Sequence, residues 1–441
     1  MEIISFRTPG LGDQSHLLTH DGKGILVDPQ RDIDRFLSAA ADHDVELRYV
    51  LETHLHNDYL SGAEQAALRS GAELVLPAAA AAAYPHTPAF HLEELPATGG
   101  LSVRPIHTPG HTPEHTSYLV LIDGEPMAVF SGGSLLVASA GRPDLLGPER
   151  ARTLAKLQHG SLHRLAGLPR EVGLYPTHGE GSFCSTSGVG RHTSTIGAEQ
   201  DGNPLLALPD QDAFADQLLA APMPIPAFYE HVGPVNLLGV PPLPQRSAPE
   251  LSVEEVPGEA HVLDLRPRTA QAAGFLPGST GVELADDFGS WAGWLLPYGE
   301  PIVLVAEPGQ DVAEALVQLA RIGLDDVRGV LRDLGPAATA RFELLDLPAF
   351  LERLPGAQVL DVRMPSEREA APLPGAVERF LPDLIAQGVP AELDPSRPLL
   401  VVCGSGRRAS IAATILTRHG FDPVVLNQAG AADVAAALPT A

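Results

Sequence analysis

The chain has 441 residues, 44% hydrophobic and 19% charged, with 43 Gly and 42 Pro. That is too long for one ordinary core, and a prior of about 150 residues per domain predicts roughly three loop-rich α/β domains. The formal charge of −26, from 55 acidic against 29 basic residues, is interrupted by no basic stripe, which excludes nucleic acid and anionic membrane surfaces as partners. The N-terminus Met1-Glu2-Ile3-Ile4-Ser5-Phe6 lacks the basic and long apolar regions of a signal peptide. With no apolar run near the ~18 residues of a membrane span, a soluble cytoplasmic protein is expected.

In chain order, Gly24-Ile25-Leu26-Val27-Asp28 reads as a buried strand, residues 31–42 as a helix, and Leu47-Arg48-Tyr49-Val50-Leu51 as a second strand. That strand runs into Thr53-His54-Leu55-His56-Asn57-Asp58-Tyr59, a loop suited to projecting two imidazoles and a carboxylate into one site. The alanine run at 78–83 reads as a helical turn. Strands are expected near 101–106, 116–122 and 126–130, and a helix over 148–165. His111 in Pro109-Gly110-His111-Thr112 and His178 in Pro176-Thr177-His178-Gly179 each follow a strand. A single histidine such as His86 or His231 is more simply a surface or core residue, but His54, His56, His111 and His178 together at strand ends point to a metal site.

From about 221 to 250 the pattern dissolves into Pro222-Met223-Pro224-Ile225-Pro226 and Pro241-Pro242-Leu243-Pro244, a semi-rigid connector and a domain boundary. Beyond it an internal repeat runs in register. Val262-Leu263-Asp264-Leu265-Arg266 matches Val359-Leu360-Asp361-Val362-Arg363, an offset of 97 (361 against 264), and the same offset pairs Leu276-Pro277-Gly278 with Leu373-Pro374-Gly375. The division expected is 1–245, 246–345 and 346–441.

Only two cysteines occur, too few for a disulfide framework. Cys184 has no activating base beside it in sequence and reads as packing. Cys403 follows the apolar strand residues Leu399 to Val402 and opens Cys403-Gly404-Ser405-Gly406-Arg407-Arg408-Ala409-Ser410, which leads into an apolar helix. Backbone N–H groups and the helix N-terminus there would stabilise anionic sulfur, with Arg408 as counter-charge and Gly404 and Gly406 letting the backbone wrap closely. Packing is the bland alternative for Cys403. A phosphatase reading suffers from the shortness of the loop from Cys403 to Arg408, which suits a small sulfur substrate. At the matching positions the first copy has Ala306 and Asp311, with neither nucleophile nor cation.

C-x-x-G-x-R-A after a buried strand, with Asp361-x-Arg363 and the Leu-Pro-Gly segment upstream, resembles the rhodanese sulfurtransferases. The resemblance implies a persulfide on Cys403, assistance by Arg408, and substrate contacts from Gly404, Ser405, Gly406, Arg407 and Ala409. Asn427-Gln428-Ala429-Gly430 departs from the Gly-Gly and Trp often seen there. The histidine motifs resemble the metallo-β-lactamase fold. Within it, Gly141-Arg142-Pro143-Asp144-Leu145 and His178-Gly179-x-Gly181-Ser182-x-Cys184 resemble the persulfide dioxygenases that are fused to two rhodanese copies. The implied architecture is α/β throughout: an N-terminal αββα sandwich, then two rhodanese-like α/β domains with parallel sheets, the first inactive.

That resemblance implies one Fe(II) held by two histidines and a carboxylate, and carries over His54 and His111 as ligands and Arg142 as a substrate contact. The carboxylate does not carry over, because Gly133 stands in its place, and Tyr59 stands where the pattern has His. Three outcomes stay open. A water or a nearby carboxylate such as Asp58 or Asp144 completes the triad, His54, His56 and His111 hold Zn²⁺, or the site holds no metal; His178 is a further possible ligand. The implied substrates are a small persulfide, sulfite or thiosulfate, and the implied assembly a homodimer. The alternatives are a rhodanese with a degenerate front domain, a sulfur carrier that hands a persulfide to a partner protein, and a zinc hydrolase of the glyoxalase II type.

Overall fold

The computed structural model describes residues 1–184, 190–220, 223–244 and 247–438. The boundary expected at 245/246 and the start of the connector at 221–222 lie outside the described residues. The chain divides into two compact units, Met1–Pro244 with Ala320–Gly323, and Gln245–Leu319 with Leu324–Ala441.

The first unit is built on two six-stranded sheets. One runs in spatial order Glu2–Thr8, Asp13–His20, Lys23–Val27, Glu46–Leu51, Glu73–Pro77 and Thr87–Ala89, antiparallel over its first three strands and parallel beyond. The other runs Ser194–Thr195, Gly173–Pro176, Glu125–Gly132, Thr116–Ile122, Leu101–His107 and Leu95–Pro96. Two hairpins are closed by Asp-Gly pairs in the left-handed region, Asp21 at φ 48° with Gly22 at 70°, and Asp123 at 51° with Gly124 at 85°, the turn geometry that matches strand twist.

Period-2 alternation sorts the strand residues into layers. Leu18, Ile25 and Val27 meet Val103, Tyr118, Val120 and Phe130 between the sheets. The alternate Leu17, Leu26 and Val50 pack on Phe36, Ala40, Ala63 and Ala66 of the helices Asp34–Asp42 and Ala63–Ser70. On the far side Leu119 and Val129 pack on Ala155, Leu162 and Phe214 of Pro148–Ala166 and Gln211–Leu219. The result is the αββα sandwich. Each side chain moved fully from water into these layers contributes about 1.5–3 kcal/mol. The loops after Glu46–Leu51, Leu101–His107 and Gly173–Pro176 carry the histidines, and the loop after Glu125–Gly132 carries Gly133.

The helical turn expected at 78–83 does not form. A turn closes with Ala80 N–H on the Pro77 carbonyl, after which Ala81 takes φ 55° and Ala83 donates to Leu237. Ala80 is drawn into the apolar cluster, and this packing outweighs alanine's helix propensity.

The second unit contains two five-stranded parallel sheets with the same spatial order. They are Glu250–Leu251, Val327–Leu331, Ile302–Val305, His261–Asp264 and Thr280–Gly281 in one, and Glu343–Leu345, Pro423–Leu426, Leu399–Val402, Gln358–Asp361 and Val377–Glu378 in the other. The second sheet starts upstream of 346. Glu343–Leu345 pairs with Pro423–Leu426, so the expected cut after 345 would sever an edge strand. That strand is three residues long and ends before Asp346-Leu347-Pro348, too short for a periodicity signal. Among the described residues no helix is long and apolar enough to cross a membrane.

Candidate functional site

His54, His111 and His178 converge at the sheet ends, all fully buried, with one ligand nitrogen from each lying within 4.8 Å of the others. Their ring centroids are 4.8, 5.2 and 5.1 Å apart. Each ring is aimed by its other nitrogen. Nδ1 of His54 meets the Thr53 hydroxyl at 2.9 Å, Nδ1 of His111 the Arg142 carbonyl at 2.8 Å, and Nδ1 of His178 the Asp13 carboxyl at 2.8 Å. Burial, reinforced by neighbouring imidazoles, holds His54 and His111 well below the usual histidine range, and burial lowers His178. Neutral imidazoles with oriented second nitrogens are what a metal ion requires. This donor set therefore fits a divalent transition metal, with His178 as the third ligand in place of the carboxylate missing at Gly133. That place is not a hole. A Cβ on Gly133 would lie 2.2 Å from His111 Cδ2, so the imidazole already fills the space a carboxylate side chain would need.

His56 does not join this set. Its Nε2 lies 3.2 Å from Glu52, 3.4 Å from Asp28 and 3.0 Å from the Tyr59 hydroxyl. Burial opposes its charge, but Glu52 and Asp28 outweigh burial and hold it well above the usual range. Its Nε2 faces these carboxylates rather than the other histidines, so the expected His54, His56, His111 zinc set is corrected to His54, His111 and His178, and His56 falls in a separate group with Asp28 and Glu52 that could hold a metal ion. Asp28 adopts φ 50° and accepts from the Thr53 N–H at 2.7 Å, from the Thr53 hydroxyl at 2.8 Å and from the Thr177 hydroxyl. Against burial, His56 and these donors keep Asp28 down at about 2. Asp28 thereby ties the ends of strands from both sheets beneath the metal ligands.

Asp144 and Arg142 are also corrected. Asp144 is engaged by Arg142 at 2.6 and 2.7 Å, and the buried guanidinium is otherwise spent on the carbonyls of Phe183, Met223 and Pro224. Arg142 thus fixes the loop that presents its own carbonyl to His111, and Asp144 is taken up in this pair rather than in the His54, His111, His178 group. Asp58 lies on the other side of His178, 3.3 Å from its Nδ1, and accepts from Cys184 Sγ at 3.3 Å. Asp58 Oδ1 and His56 Nδ1 are buried 3.9 Å apart and neither has a hydrogen-bond partner among the described residues. Burial lifts Asp58 to about 6 and Asp13 to about 8, and pushes the Cys184 thiol well up, so Cys184 is no nucleophile here. Asp13 also lines a cleft of about 140 Å³ with Arg7 and His192, which leaves the cluster one side chain from the surface.

Sequence reasoning missed Asp13, Asp28 and Glu52, and the signal available was weak: a carboxylate at or next to the end of an apolar strand.

In the second unit, Cys403 sits at the end of Leu399–Val402, 1% exposed, and the Gly406 N–H donates to its Sγ at 3.1 Å. Gly404 and Ser405 form the exposed lip, and the helix Arg407–Thr417 begins directly after Gly406. Gly406 is required twice over. It takes φ 93°, and an added Cβ would meet the Leu426 carbonyl at 2.7 Å. Ala409 is buried beneath the loop, and Arg407 pairs with Asp287 at 2.5 Å. Arg408, expected as the counter-charge to a bound anion, makes a two-point ion pair with Glu367, one arm at 2.7 Å.

The comparisons agree with this division. Residues 9–178 match the metallo-beta-lactamase superfamily and residues 347–437 the rhodanese-like domain. A probable metallo-hydrolase of Burkholderia pseudomallei is 30% identical over 217 residues, 40% of this chain and 72% of that protein. A hydroxyacylglutathione hydrolase of Methylobacillus flagellatus is 31% identical over 163 residues, and the chain spans only 60% of its length, with 37% of this chain aligned. The crystal structure of a metallo-beta-lactamase from Staphylococcus aureus subsp. aureus COL superposes with a TM-score of 0.69 at 27% identity, over 75% of this chain and 99% of that one. The chain belongs to the metallo-beta-lactamase superfamily. It carries, in addition, a rhodanese-like domain toward its C-terminal end.

Proposed function

We propose that the protein is a sulfur-metabolism enzyme of the persulfide dioxygenase-rhodanese fusion type, transferring sulfane sulfur through a Cys403 persulfide. The observation that carries this reading is the Cys403 loop: a buried thiol under the Gly406 N–H, at the start of a helix, with Arg408 at the lip. The Cys403 thiolate attacks the outer sulfur of the donor, the Gly406 N–H and helix N-terminus hold the charge on sulfur, and an acceptor later removes the sulfur. The sheet from Glu250–Leu251 to Thr280–Gly281, with the same strand order, is read as an inactive rhodanese-like copy, since Ala306 and Asp311 stand at the matching positions.

In the front domain, His54, His111 and His178 would hold one metal ion, iron in this reading, which supplies oxygen activation and a binding point for a persulfide sulfur. Asp13, Thr53 and the Arg142 carbonyl orient the three rings, and Asp28 secures the strand ends beneath them. The hydrolase relatives favour a second reading, a zinc-dependent hydrolase of glutathione thioesters. It is opposed by Tyr59 and Gly133, which remove donors a two-metal site would use.

The test is to purify the protein from iron-supplemented and from zinc-supplemented culture. Metal content, O₂ uptake with glutathione persulfide, thioester hydrolysis and sulfur transfer from thiosulfate and from glutathione persulfide would then be measured for the wild type and for Cys403→Ser. Loss of sulfur transfer in Cys403→Ser supports the reading, and retention overturns it. Thioester hydrolysis without O₂ uptake would establish the hydrolase.

A further inference from the structure

Arg408 reaches the lip of the Cys403 loop already paired. A Cβ on Gly404 would lie 3.4 Å from Arg408 Nη2 and 3.9 Å from Glu367 Oε1, so cation and carboxylate share the entrance to the thiol. The Glu367 side chain is 35% exposed and that of Arg408 14%, which puts the negative member on the outside, where an approaching donor meets it first. Burial works against both charges, yet the pair outweighs burial, holding Glu367 low and Arg408 high. The entrance is therefore a neutral ion pair rather than a free cation.

The duplicated sheets provide an internal control. With the 97-residue offset, the ion pair Asp361–Arg363 (2.7 Å) has its counterpart in Asp264–Arg266 (2.6 Å), retained where the nucleophile has been lost. That pair therefore serves the fold. Glu367 and Arg408 instead correspond to Ala270 and Asp311, both lost together with the cysteine. Glu367 also has a structural duty, since its Oε2 accepts from the Met364 N–H at 3.0 Å at the start of the helix Pro365–Ala370. The helix Arg268–Ala273 forms at the matching residues with Ala270 and no such bond. The cap alone thus does not explain why the acid is kept where the thiol is kept.

We infer that Glu367 is a specificity-determining positioning residue that, by neutralising Arg408, turns the Cys403 loop against small dianionic donors such as thiosulfate and toward persulfides carried on a larger thiol. The inference rests on the sulfurtransferase reading. In either case the Sγ–S bond forms as the donor's S–S bond breaks, and the donor leaves with the electron pair, as sulfite from thiosulfate or as a thiolate from a persulfide. No net oxidation occurs. A thiosulfate sulfonate must sit inside the lip beside the Glu367 carboxylate, where the like charge opposes it. A persulfide brings at most one negative charge to the thiol and keeps its remaining groups outside.

The experiment follows persulfide formation at Cys403 by peptide mass spectrometry in single turnover, with thiosulfate and with glutathione persulfide, for the wild type, Glu367→Gln and Glu367→Asp. Glutamine can still accept the Met364 N–H, as either residue does at this helix position, so the fold-supporting bond survives while the charge goes. In Glu367→Gln the half-saturating thiosulfate concentration is expected to fall about five-fold or more with the maximal rate unchanged, through a freed charge-assisted contact to Arg408. Values for glutathione persulfide should stay within about two-fold, and Glu367→Asp should restore the wild-type ratio. Parallel changes with both donors, or no change with either, overturn the inference and leave the sulfurtransferase reading standing. A wild-type protein that forms no persulfide at Cys403 with either donor overturns both.

Discussion

Restoring the carboxylate by Gly133→Asp is the sharpest test of the front site, because sequence and structure predict opposite results. From sequence, an aspartate there would complete an iron triad and raise metal binding. In the structure its Cβ would sit 2.2 Å from His111 Cδ2 and 2.7 Å from His111 Nε2, more than an ångström inside ordinary contact. His111 cannot simply swing away. Its Nδ1 is held by the Arg142 carbonyl at 2.8 Å, and a Cβ built on Gly141 would meet that same nitrogen at 2.8 Å, which shows how closely backbone hems the ring in. Overpacking of this kind costs about 1–3 kcal/mol, which for a domain of this size lowers the apparent Tm by roughly 2–12 °C. Displacing His111 also removes one of three ligands. Gly133→Asp is therefore expected to melt earlier and to hold less iron or zinc than the wild type, measured by thermal unfolding and by metal analysis of the purified protein. A variant as stable as the wild type with more bound metal would refute the three-histidine donor set.

His178→Ala should cut metal occupancy at least tenfold with modest loss of stability, whereas His56→Ala should leave the ligand set intact and cost about 3–5 kcal/mol by stranding two buried carboxylates; metal analysis paired with urea unfolding separates the two. Gly406→Ala places a side chain at φ 93° and 2.7 Å from the Leu426 carbonyl, so sulfur loading of Cys403 should fall at least about tenfold as the Gly406 N–H leaves Sγ. Gly404→Ala, whose nearest neighbour is 3.4 Å away, should unfold at nearly the wild-type urea concentration. Burial pushes His16 down to about 4, the state in which Nε2–H donates to the Pro176 carbonyl and Nδ1 accepts from the Ser5 hydroxyl. Between pH 6.5 and 4 the unfolded chain then binds the extra proton. This stabilisation is complete above pH 6.5 and fades as pH falls toward 4, by about 2 kcal/mol at pH 5. His16→Gln should lose that part of the pH slope in urea titrations at pH 7 and 5, and an unchanged slope would show that His16 is charged in the fold.

What could be read from sequence follows how local each feature is. The Cys403 loop was legible because strand, thiol, glycines and helix start are contiguous, and its geometry needs only those residues. The histidines at strand ends were legible as a set, but their division was not. His56 is one residue from Leu55 and two from His54, yet its partner Asp28 comes from a different strand end, and that partnership sets His56 in a group apart from His54, His111 and His178. Gly133 was visible as a missing carboxylate, while the imidazole filling its place comes from residue 111. Arg142 looked like a substrate contact from its motif, and only the folded loop reveals its partners at 183, 223 and 224.

The repeat also gives the first of the two matching sheets a structural part to play. The helix Arg407–Thr417, which carries the sulfur loop, is held from the side of the first copy. Asp287 pairs with Arg407, the Gly281 N–H donates to the Thr414 hydroxyl at 3.0 Å, and Arg268 donates to Asn427 at 2.8 Å. Asn427 in turn lies against Gly406, 3.1 Å from where its Cβ would be, and Gly406 supplies the N–H on Cys403. Two of the residues giving these contacts, Arg268 and Gly281, lie in the very segments that keep exact-length counterparts in the second copy, the helix Arg268–Ala273 and the strand Thr280–Gly281. Both segments keep their length although Ala270 stands within the helix Arg268–Ala273 where the second copy has Glu367.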